Sequence, residues 1–244
     1  MVPDVWFADY DDLASVEAAL DEAAGRIGTL IVEPVQCEGG LRVPSAGFLP
    51  GLRALCDDRD MVLIFDEVQT GVARTGEWFC YEISDVRPDV MALAKGLGGG
   101  VPLGAMLCTA ETAEAFQPGA HASTFGGNPL ATRAGLEVMR VIADDALLDH
   151  TFEVGEHLER GLEGLVKAHP GLCVEARGYG LLRGLELVQD DRELGKRVVA
   201  ECLERGLLIN AIGGHILRFV PPLIIETGHV DTALGIIDEV LGSL

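Results

Sequence analysis

Four polar segments in the first half of the chain directly follow apolar stretches, and they contain residues whose types and spacing could do chemistry. An open parallel sheet binds ligands beyond the carboxyl ends of its strands, so such segments are candidate binding loops. They span residues 33–40, 66–71, 94–96 and 123–129. Within them, one lysine and one aspartate are the strongest candidates for catalysis.

Lys95 ends the apolar stretch 89–94 and precedes the glycine-rich run 96–100. A lysine amine in apolar surroundings loses its charge readily and becomes a nucleophile that can form a Schiff base. An exposed lysine at a strand exit is the alternative for this residue taken alone. The glycine run does not match a dinucleotide-binding fingerprint, because neither a following helix nor a ribose-binding acid about 20 residues further on is predicted. A dehydrogenase is therefore disfavoured.

Asp66 ends the apolar stretch 61–65, at the sheet edge where Lys95 is also expected. A buried carboxylate needs a cationic partner, and the protonated pyridine nitrogen of pyridoxal phosphate is one. Capping of a turn is the alternative role for this carboxylate. Together, Asp66 and Lys95 on separate strands favour pyridoxal-phosphate chemistry over either residue's alternative.

The elements that must position these residues alternate between helices and strands. Such alternation predicts a largely parallel, doubly wound sheet in the first 140 residues or so. Helices are predicted at 9–24 and 48–58, and strands at 28–35, 61–65, 89–94 and 104–109.

The second half has longer helices and fewer strands, which predicts a separate small α+β domain. We place the division between a partial large domain at 1–142 and a C-terminal small domain at 143–244. Helices are predicted at 130–143, 147–168, 193–205 and 229–241, with strands within 174–188 and at 207–211 and 216–219.

The charge balance excludes a conventional nucleic-acid binder. The 244 residues include 39 Asp and Glu against 18 Lys and Arg, a net charge of −21, whereas binding to phosphates requires a positive surface. Only three of the basic residues are lysines. An acidic, lysine-poor surface is typical of a salt-rich cytoplasm, in which screening weakens the repulsion between like charges.

The cysteines and the chain start favour a cytoplasmic protein. The six cysteines are widely separated, without a C-x-x-C pair or a histidine spacing that indicates zinc, so we expect reduced, mostly buried thiols and no metal. Residues 1–4 lack a basic and apolar leader pattern, and no apolar run is long enough to span a membrane.

Six motifs occur in one order along the chain: V-E-P-V-Q-C-E-G-G at 32–40, L-I-F-D-E-V-Q-T-G-V-A-R-T-G at 63–76, P-D-V at 88–90, A-K-G-L-G-G-G at 94–100, S-T-F-G-G-N-P-L at 123–130 and L-R-F-V-P-P-L at 217–223. This set closely resembles the signature of class III (ω-) pyridoxal-phosphate aminotransferases of the acetylornithine/ornithine group. The resemblance covers essentially the whole chain. It implies the α/β fold of type I pyridoxal-phosphate transferases, with a truncated large domain, a mostly parallel sheet and a small α+β C-terminal domain.

The resemblance also implies roles for residues around the cofactor ring. Lys95 would bind the cofactor as a Schiff base and carry a proton between the substrate carbon and the cofactor. Asp66 would keep the pyridine nitrogen protonated. Val68 would pack on the ring face, and Gln69 would contact the phenolic oxygen.

Further roles implied by the resemblance concern the phosphate and the substrate. Ser123 and Thr124 would bind cofactor, and Thr124 would reach the phosphate of the neighbouring subunit, which implies a homodimer with its site at the interface. Arg218 would bind the substrate's α-carboxylate, and Glu38 would pair with this arginine when an ω-amine reacts. The alternatives are a loop-exposed acid for Glu38 and an ion pair with Glu226 or another acid for Arg218.

The chemistry implied by the family is ping-pong transfer of an ω-amino group to 2-oxoglutarate, in arginine or lysine biosynthesis. Cys37 and Ala73 stand where the family commonly has glycine, and we expect both changes to leave these roles intact. We also expect the chain to lack the family's N-terminal third, including its phosphate-binding turn. A non-catalytic remnant or dimerisation module that binds pyridoxal phosphate weakly is therefore an alternative, as is another class III enzyme such as a semialdehyde aminomutase.

Overall fold

The computed structural model describes residues 4–191 and 193–244. The prediction of a chain start without a leader rests on residues 1–4, of which the first three lie outside the described residues. The described residues form two compact units. The first contains the chain up to Pro34, Pro44–Gly71 and Phe79–Met139, and the second contains Val35–Val43, Val72–Trp78 and Arg140–Leu244.

The first unit is built on a four-stranded sheet of order β1-β2-β3-β4. Strands β1, β2 and β3 are parallel, and β4 pairs antiparallel with β3. Its elements are α1 (Leu13–Ala23), β1 (Thr29–Val32), α2 (Phe48–Asp58), β2 (Val62–Asp66), α3 (Tyr81–Ser84), β3 (Val90–Leu93), β4 (Ala105–Cys108), α4 (Ala110–Ala113) and most of α5 (Pro129–Asp144), with a 3₁₀ turn at Lys95–Gly98.

Helix α1 shows how the sequence defines these elements. The Asp12 side chain caps its start by accepting a hydrogen bond from the Ser15 amide, which satisfies one of the donors that a helix start leaves unpaired. Val16 and Leu20 lie on its buried face. They join α2 and β2 in one apolar cluster that includes Phe65.

Two strands of this sheet differ from the expectation that follows from a doubly wound sheet, in which helices cover both faces. Ile31 in β1 is 66% exposed, and Met106 and Leu107 in β4 are 48% and 46% exposed. The expectation is wrong for β1 and β4, because the apolar cluster of this unit gathers on α1, α2 and β2. The expectation is confirmed for β2 and β3, in which every residue is buried or half-buried.

The second unit contains an antiparallel sheet of order β5-β6-β8-β7. One sheet face packs against the helices, with Leu185 and Leu187 of β6 and Leu217 and Phe219 of β8 in a single large apolar cluster. The elements are α6 (Leu147–Ala168), β5 (Cys173–Tyr179), β6 (Leu182–Leu187), α7 (Leu194–Glu204), β7 (Asn210–Ile212), β8 (Ile216–Phe219) and α8 (Thr227–Gly242).

The fold class agrees with the α/β prediction: a mixed, mostly parallel sheet and an α+β second unit. The division of the chain differs from the continuous one placed at residues 142 and 143. It falls between Met139 and Arg140 within α5, and Val35–Val43 and Val72–Trp78 belong to the second unit. Hydrogen bonds described below attach these two segments to the antiparallel sheet and to the residues that flank its strands. A continuous division of the sequence does not anticipate such bonds.

Candidate functional site

The backbone places Asp66 and Lys95 at the same edge of the first sheet. Asp66 is the last residue of β2 and lies opposite Ala92 of the parallel strand β3. The Glu67 amide donates to the Ala92 carbonyl at 3.0 Å. Because β3 ends at Leu93, Lys95 follows two residues beyond the carboxyl end of the strand next to that of Asp66.

Lys95 itself is exposed rather than surrounded by apolar side chains. It begins the 3₁₀ turn with a φ of 47°, and the buried residues of this turn are Leu97 and Gly98. Of the two environments considered from the sequence, the structure shows the exposed lysine at a strand exit, and the apolar surroundings are wrong for the described chain. Its position at the carboxyl edge of a parallel sheet remains one at which ligands bind.

Asp66 is half-buried, and its Oδ1 accepts a hydrogen bond from the Val68 amide at 3.0 Å. This is the turn-capping contact weighed from the sequence as the alternative role. A carboxylate has about four acceptor positions, so one such bond leaves capacity for a cationic partner. Val68 and Gln69 are half-buried and follow directly at this edge.

Glu67 is a site-adjacent residue that the sequence reasoning missed. Its side chain is 1% exposed and accepts three hydrogen bonds, from the Thr70 hydroxyl at 2.6 Å and the amides of Cys80 and Tyr81 at 2.8 Å each. Burial raises the pKa of the Glu67 carboxyl, against the opposing effect of these bonds. The sequence shows a second acid directly after Asp66, and successive residues of an extended chain point to opposite faces. This signal does not identify the three donors that bind the Glu67 carboxylate.

The Glu67 carboxylate joins the two ends of a loop. Thr70 precedes the segment Val72–Trp78, and Cys80 and Tyr81 follow it. The Val72 amide also donates to the Trp78 carbonyl at 2.8 Å. The loop after Asp66 is thereby closed at its base within a few residues of the candidate site.

Ser123 and Thr124 lie in an exposed loop before α5. The Ser123 hydroxyl accepts a hydrogen bond from the Gly126 amide at 2.9 Å, so this side chain supports the turn of its own loop. Among the described residues, no hydrogen bond or ion pair joins Ser123 or Thr124 to Asp66 or Lys95.

In the second unit, the structure brings Arg218 and Glu38 into direct contact. Arg218 Nη1 lies 2.5 Å from Glu38 Oε1, and Arg218 Nε donates to Asn210 Oδ1 at 3.3 Å. The arginine side chain is 16% exposed and that of Glu38 67%. Glu38 is thus both a loop-exposed acid and the partner of Arg218, whereas Glu226 caps the start of α8.

Glu38 is carried by a short backbone turn. Gln36 and Arg42 form a two-residue antiparallel bridge, and the Cys37 carbonyl accepts hydrogen bonds from the amides of Gly40 and Leu41 at 3.1 and 2.9 Å. The Cys37 side chain is fully buried. The thiol that replaces the expected glycine is therefore packed inside the turn, and Glu38 projects from it.

Arg74 explains why the segment Val72–Trp78 belongs to the second unit. Its Nη1 donates to the carbonyls of Leu181 and Pro221 at 3.0 and 2.6 Å, and burial lowers its pKa to about 10. Ala73, the second departure from the family pattern, has a φ of 65° and is fully buried. These contacts make Arg74 a structural residue.

The remaining titratable groups do not form a metal centre. Within residues 4–191 and 193–244, no group of three or more His, Cys, Asp or Glu side chains is arranged to hold a metal ion. All six cysteines lie outside disulfide bonds, and five of them are buried. A membrane-spanning helix is likewise absent from the described part of the chain.

Comparisons with known proteins place these residues in context. Residues 3–241 match the aminotransferase class-III family. The chain is 42% identical over 247 residues to an acetylornithine aminotransferase from Synechocystis, with 100% of this chain and 57% of that protein covered. It is 46% identical over 241 residues to an acetylornithine aminotransferase from Aquifex aeolicus, with 99% and 60% covered.

Solved structures agree with the sequence relatives. The ornithine aminotransferase from Toxoplasma gondii matches with a TM-score of 0.93 and 34% identity, over 100% of this chain and 57% of that chain. The acetylornithine aminotransferase from Elizabethkingia anophelis matches with a TM-score of 0.88 and 34% identity, over 96% and 59%. The chain therefore spans about three fifths of the length of the relatives it matches.

Proposed function

Because this chain belongs to the class III aminotransferases, a family of pyridoxal-phosphate enzymes, we propose that it serves the transfer of an ω-amino group from an acetylornithine- or ornithine-type donor to 2-oxoglutarate. The observation that carries the proposal is the ion pair between Arg218 and Glu38. A pair of this kind suits two substrates that place their carboxylates differently. An arginine or lysine biosynthetic role is part of the same proposal.

The residues of the first unit fit the cofactor by their chemistry. Asp66 offers a half-buried carboxylate at the end of β2, and such a group can keep the cofactor's pyridine nitrogen protonated. Lys95 offers an exposed primary amine beyond the neighbouring strand, where it is accessible to an aldehyde. When bound, pyridoxal phosphate supplies an electron sink for bond changes at the amino carbon.

The proposed work of the protein residues is binding and proton transfer. Lys95 would hold the cofactor and then move one proton at the reacting carbon. Val68 would contact the cofactor ring and Gln69 its phenolic oxygen. Ser123 and Thr124 would bind phosphate, and the exposure of their loop is compatible with the proposed homodimer in which Thr124 serves the neighbouring subunit.

Arg218 and Glu38 would distinguish the two substrates of the ping-pong cycle. The guanidinium matches a carboxylate with two parallel hydrogen bonds, so a 2-oxoglutarate carboxylate can replace Glu38 on Arg218. With an ω-amino donor, Glu38 neutralises the same arginine. Because the Glu38 side chain is mostly exposed, breaking this pair costs about 1 kcal/mol or less, which permits exchange in each cycle.

The amino group balances across the two half-reactions. The donor loses its primary amine and becomes an aldehyde, and 2-oxoglutarate gains that amine and becomes glutamate. This exchange needs no external oxidant. A semialdehyde aminomutase is the less favoured class III reaction, because it does not alternate between two such carboxylate arrangements.

A second candidate is a chain that binds the cofactor weakly and does not turn over. The observation that favours it is the exposure of Lys95, because the apolar surroundings that activate an amine for Schiff-base formation are missing around it. Loss of each hydrogen bond to a charged phosphate costs about 1.5 to 3 kcal/mol. The chain spans about three fifths of the length of its relatives. The number of hydrogen bonds that the cofactor phosphate receives decides between the two candidates.

Cofactor capture tests the proposal directly. Pyridoxal phosphate is added to the purified protein in high salt, the absorbance spectrum is recorded, and the adduct is fixed with borohydride and located by mass spectrometry. We expect a new visible band and a modification on Lys95, both absent from Lys95→Ala. Reaction at Lys167 or Lys196 to the same extent would show non-specific adduct formation and contradict the role of Lys95.

A further inference from the structure

Four residues lie in one row across the antiparallel sheet of the second unit. Arg177 of β5 pairs with Gly184 of β6, Gly184 pairs with Arg218 of β8, and Arg218 pairs with Asn210 of β7. Residues directly opposite each other on antiparallel strands present their side chains on the same face. Arg177 and Arg218 therefore share a face, two strands or about 10 Å apart.

This face is the one opposite the helices. The neighbouring residues Leu185 and Leu217 point into the apolar cluster under α6 and α8, and side chains alternate along each strand. On this face the segment Val35–Val43, which belongs to the same unit, lies against Arg177 and Gly184. This loop places Glu38 next to Arg218.

Gly184 is the point at which the loop crosses the row. A Cβ atom on Gly184 would lie 3.4 Å from Leu41 Cβ and 3.3 Å from Ile216 Cγ2. Leu41 is fully buried, so its side chain fills the space that the glycine leaves. The loop is thus seated on the sheet between Arg177 and Arg218.

Arg177 binds the loop through its backbone. Its Nη2 donates to the Gly40 carbonyl and its Nε to the Leu41 carbonyl, each at 2.7 Å. The same guanidinium pairs with the carboxylates of Glu186 and Glu175. Arg177 is 17% exposed, so two carbonyls and two acids surround a mostly buried cation.

Glu186 supplies the charge that this arrangement needs. Burial of the Glu186 carboxyl would raise its pKa, but hydrogen bonds from Arg177 and Gln189 outweigh burial and lower it. Glu186 is therefore ionised at neutral pH. Its carboxylate holds the guanidinium in the orientation that points two N–H groups at the loop.

We propose that Arg177, oriented by Glu186, is a positioning residue that holds Glu38 against Arg218 and so sets how readily Arg218 exchanges Glu38 for a dicarboxylate substrate. The inference rests on the proposed function for the identity of that substrate. Arg177 itself contacts no substrate and acts only through the loop at Gly40 and Leu41.

The ligand-free protein provides the first test. Arginine Nε–H signals are assigned by NMR in the wild type, in Glu38→Gln and in Arg177→Lys, which keeps the charge but loses the planar set of donors. We expect Arg177→Lys to move the Arg218 signal in the direction that Glu38→Gln moves it. An Arg218 signal that stays at its wild-type position in Arg177→Lys overturns the inference, whether or not any ligand binds.

Arg183 offers a matched control in the same sheet. It is 3% exposed, donates to the carbonyls of Gly178 and Gly180, and pairs with Glu156 and Glu159. Its hydrogen bonds and ion pairs within the described residues do not include the segment Val35–Val43. Arg183→Lys should leave the Arg218 signal in place. An equal shift in both variants would indicate a general effect on the sheet and overturn the inference.

Should Arg177→Lys fail to fold, Glu186→Gln tests the same link. This variant leaves the arginine and its pair with Glu175 present but removes the half-buried carboxylate charge of Glu186. A shift of the Arg218 signal toward its Glu38→Gln position supports the inference, and an unchanged signal overturns it.

Binding of glutarate, a five-carbon dicarboxylate without a keto group, tests the consequence for substrate. Titration followed on the Arg218 signal should give about fivefold tighter binding in Arg177→Lys and in Glu38→Gln than in the wild type. The double variant should be no tighter than Glu38→Gln, because the two changes act through one contact. Additive effects would show that Arg177 acts independently of Glu38, contrary to the inference.

The substrate role of Arg218 and the positioning role of Arg177 would be contradicted by different results of this experiment. If glutarate binds in no variant, or if calorimetric titration shows that it binds equally to Arg218→Met and to the wild type, the proposed substrate role of Arg218 is wrong. The ligand-free signals still decide the positioning role of Arg177. If glutarate binds at Arg218 but equally in the wild type and Arg177→Lys, the substrate role stands and the positioning role is wrong.

Discussion

The two units hold their candidate residues in different ways. In the first unit, Asp66 and Lys95 stand at the ends of neighbouring parallel strands. In the second, Glu38 and Arg218 form an ion pair, and a loop seated on the sheet face carries the acid. Parallel strand order alone is enough to gather the first pair at one edge, whereas the second pair depends on hydrogen bonds between segments far apart in the sequence.

The two units also differ in how much of each sheet is packed into an apolar cluster. The apolar cluster of the second unit takes in three strands of its sheet and the helices α6, α7 and α8. The cluster of the first unit gathers on two helices and one central strand, and apolar side chains on its outer strands are exposed. We therefore expect the second unit to be less tolerant of substitution and slower to open.

A glycine substitution provides the strongest test of the tight packing in the second unit. Gly178 has a φ of 130°, and a Cβ there would lie 2.0 Å from the Leu182 carbonyl oxygen. Gly178→Ala should lower the free energy of unfolding by about 4 kcal/mol or more, measured by urea denaturation. Gly164→Ala, in α6 with no atom near the added Cβ, should instead raise it by about 1 kcal/mol.

Glu67 is the corresponding test in the first unit. Glu67→Ala leaves the amides of Cys80 and Tyr81 without their acceptor, so we expect a loss of roughly 3 kcal/mol in the free energy of unfolding. Glu82, which accepts a bond from the Phe79 amide at the surface, is the control and should cost well under 1 kcal/mol as Glu82→Ala. Equal effects of the two variants would contradict the role of Glu67 in closing the loop.

Thiol labelling compares the opening of the two units in the native protein. Cys56 lies in the first unit and Cys173 in the second, and burial raises the pKa of both thiols to about 11. Because the two thiols have the same pKa, the difference in their labelling rates reports how readily the structure around each one opens. We expect Cys56 to react about tenfold faster than Cys173. Mass spectrometry assigns each site, and faster labelling of Cys173 would reverse the comparison.

The pH dependence of stability isolates the buried carboxyl in the first unit. Because folding raises the pKa of Glu67, the neutral form favours the folded state below the unfolded value of 4.5, and this contribution is lost as the pH rises through the folded pKa. The stability difference between wild type and Glu67→Gln should therefore change in favour of the variant as the pH rises from 4. A difference that is constant with pH would contradict the raised pKa.

Two isoleucines give the smallest expected effect. Ile31 in β1 is 66% exposed and Ile216 in β8 is 3% exposed. Ile31→Val should change the free energy of unfolding by less than about 0.5 kcal/mol, whereas Ile216→Val should lower it by about 1 kcal/mol. Similar losses at both positions would show that the outer face of β1 is covered in solution.

The sequence predicted the elements better than the contacts. Helices α2 and α6 and strand β8 have the predicted bounds, because their apolar periodicity is strong and turn residues lie on both sides. The exposure of Lys95 was considered only as the alternative, since an apolar strand in the sequence does not show whether the residue after it is covered. The edge shared by Asp66 and Lys95 followed from the strand order that alternating elements predict.

The residues that support the site were beyond sequence reasoning for a different reason. Glu67 adjoins Asp66 in the sequence, but its three donors come from the far side of a loop. Arg177 and Glu186 reach the Glu38 loop only through the pairing of β5 with β6 and the crossing of Leu41 over Gly184. Such contacts depend on strand register. Apolar alternation does not determine the register, because shifting one strand by two residues keeps the same side chains on the buried face.

The row from Arg177 to Asn210 also determines which changes of chain length this protein can tolerate over evolution. Insertions in the turns that connect the strands leave the row intact. A single-residue insertion or deletion within β5, β6 or β8 would move one arginine or the glycine to the opposite sheet face, where it would meet the apolar cluster. Across homologues, gaps should therefore fall outside these three strands even where the residues of the row have been exchanged.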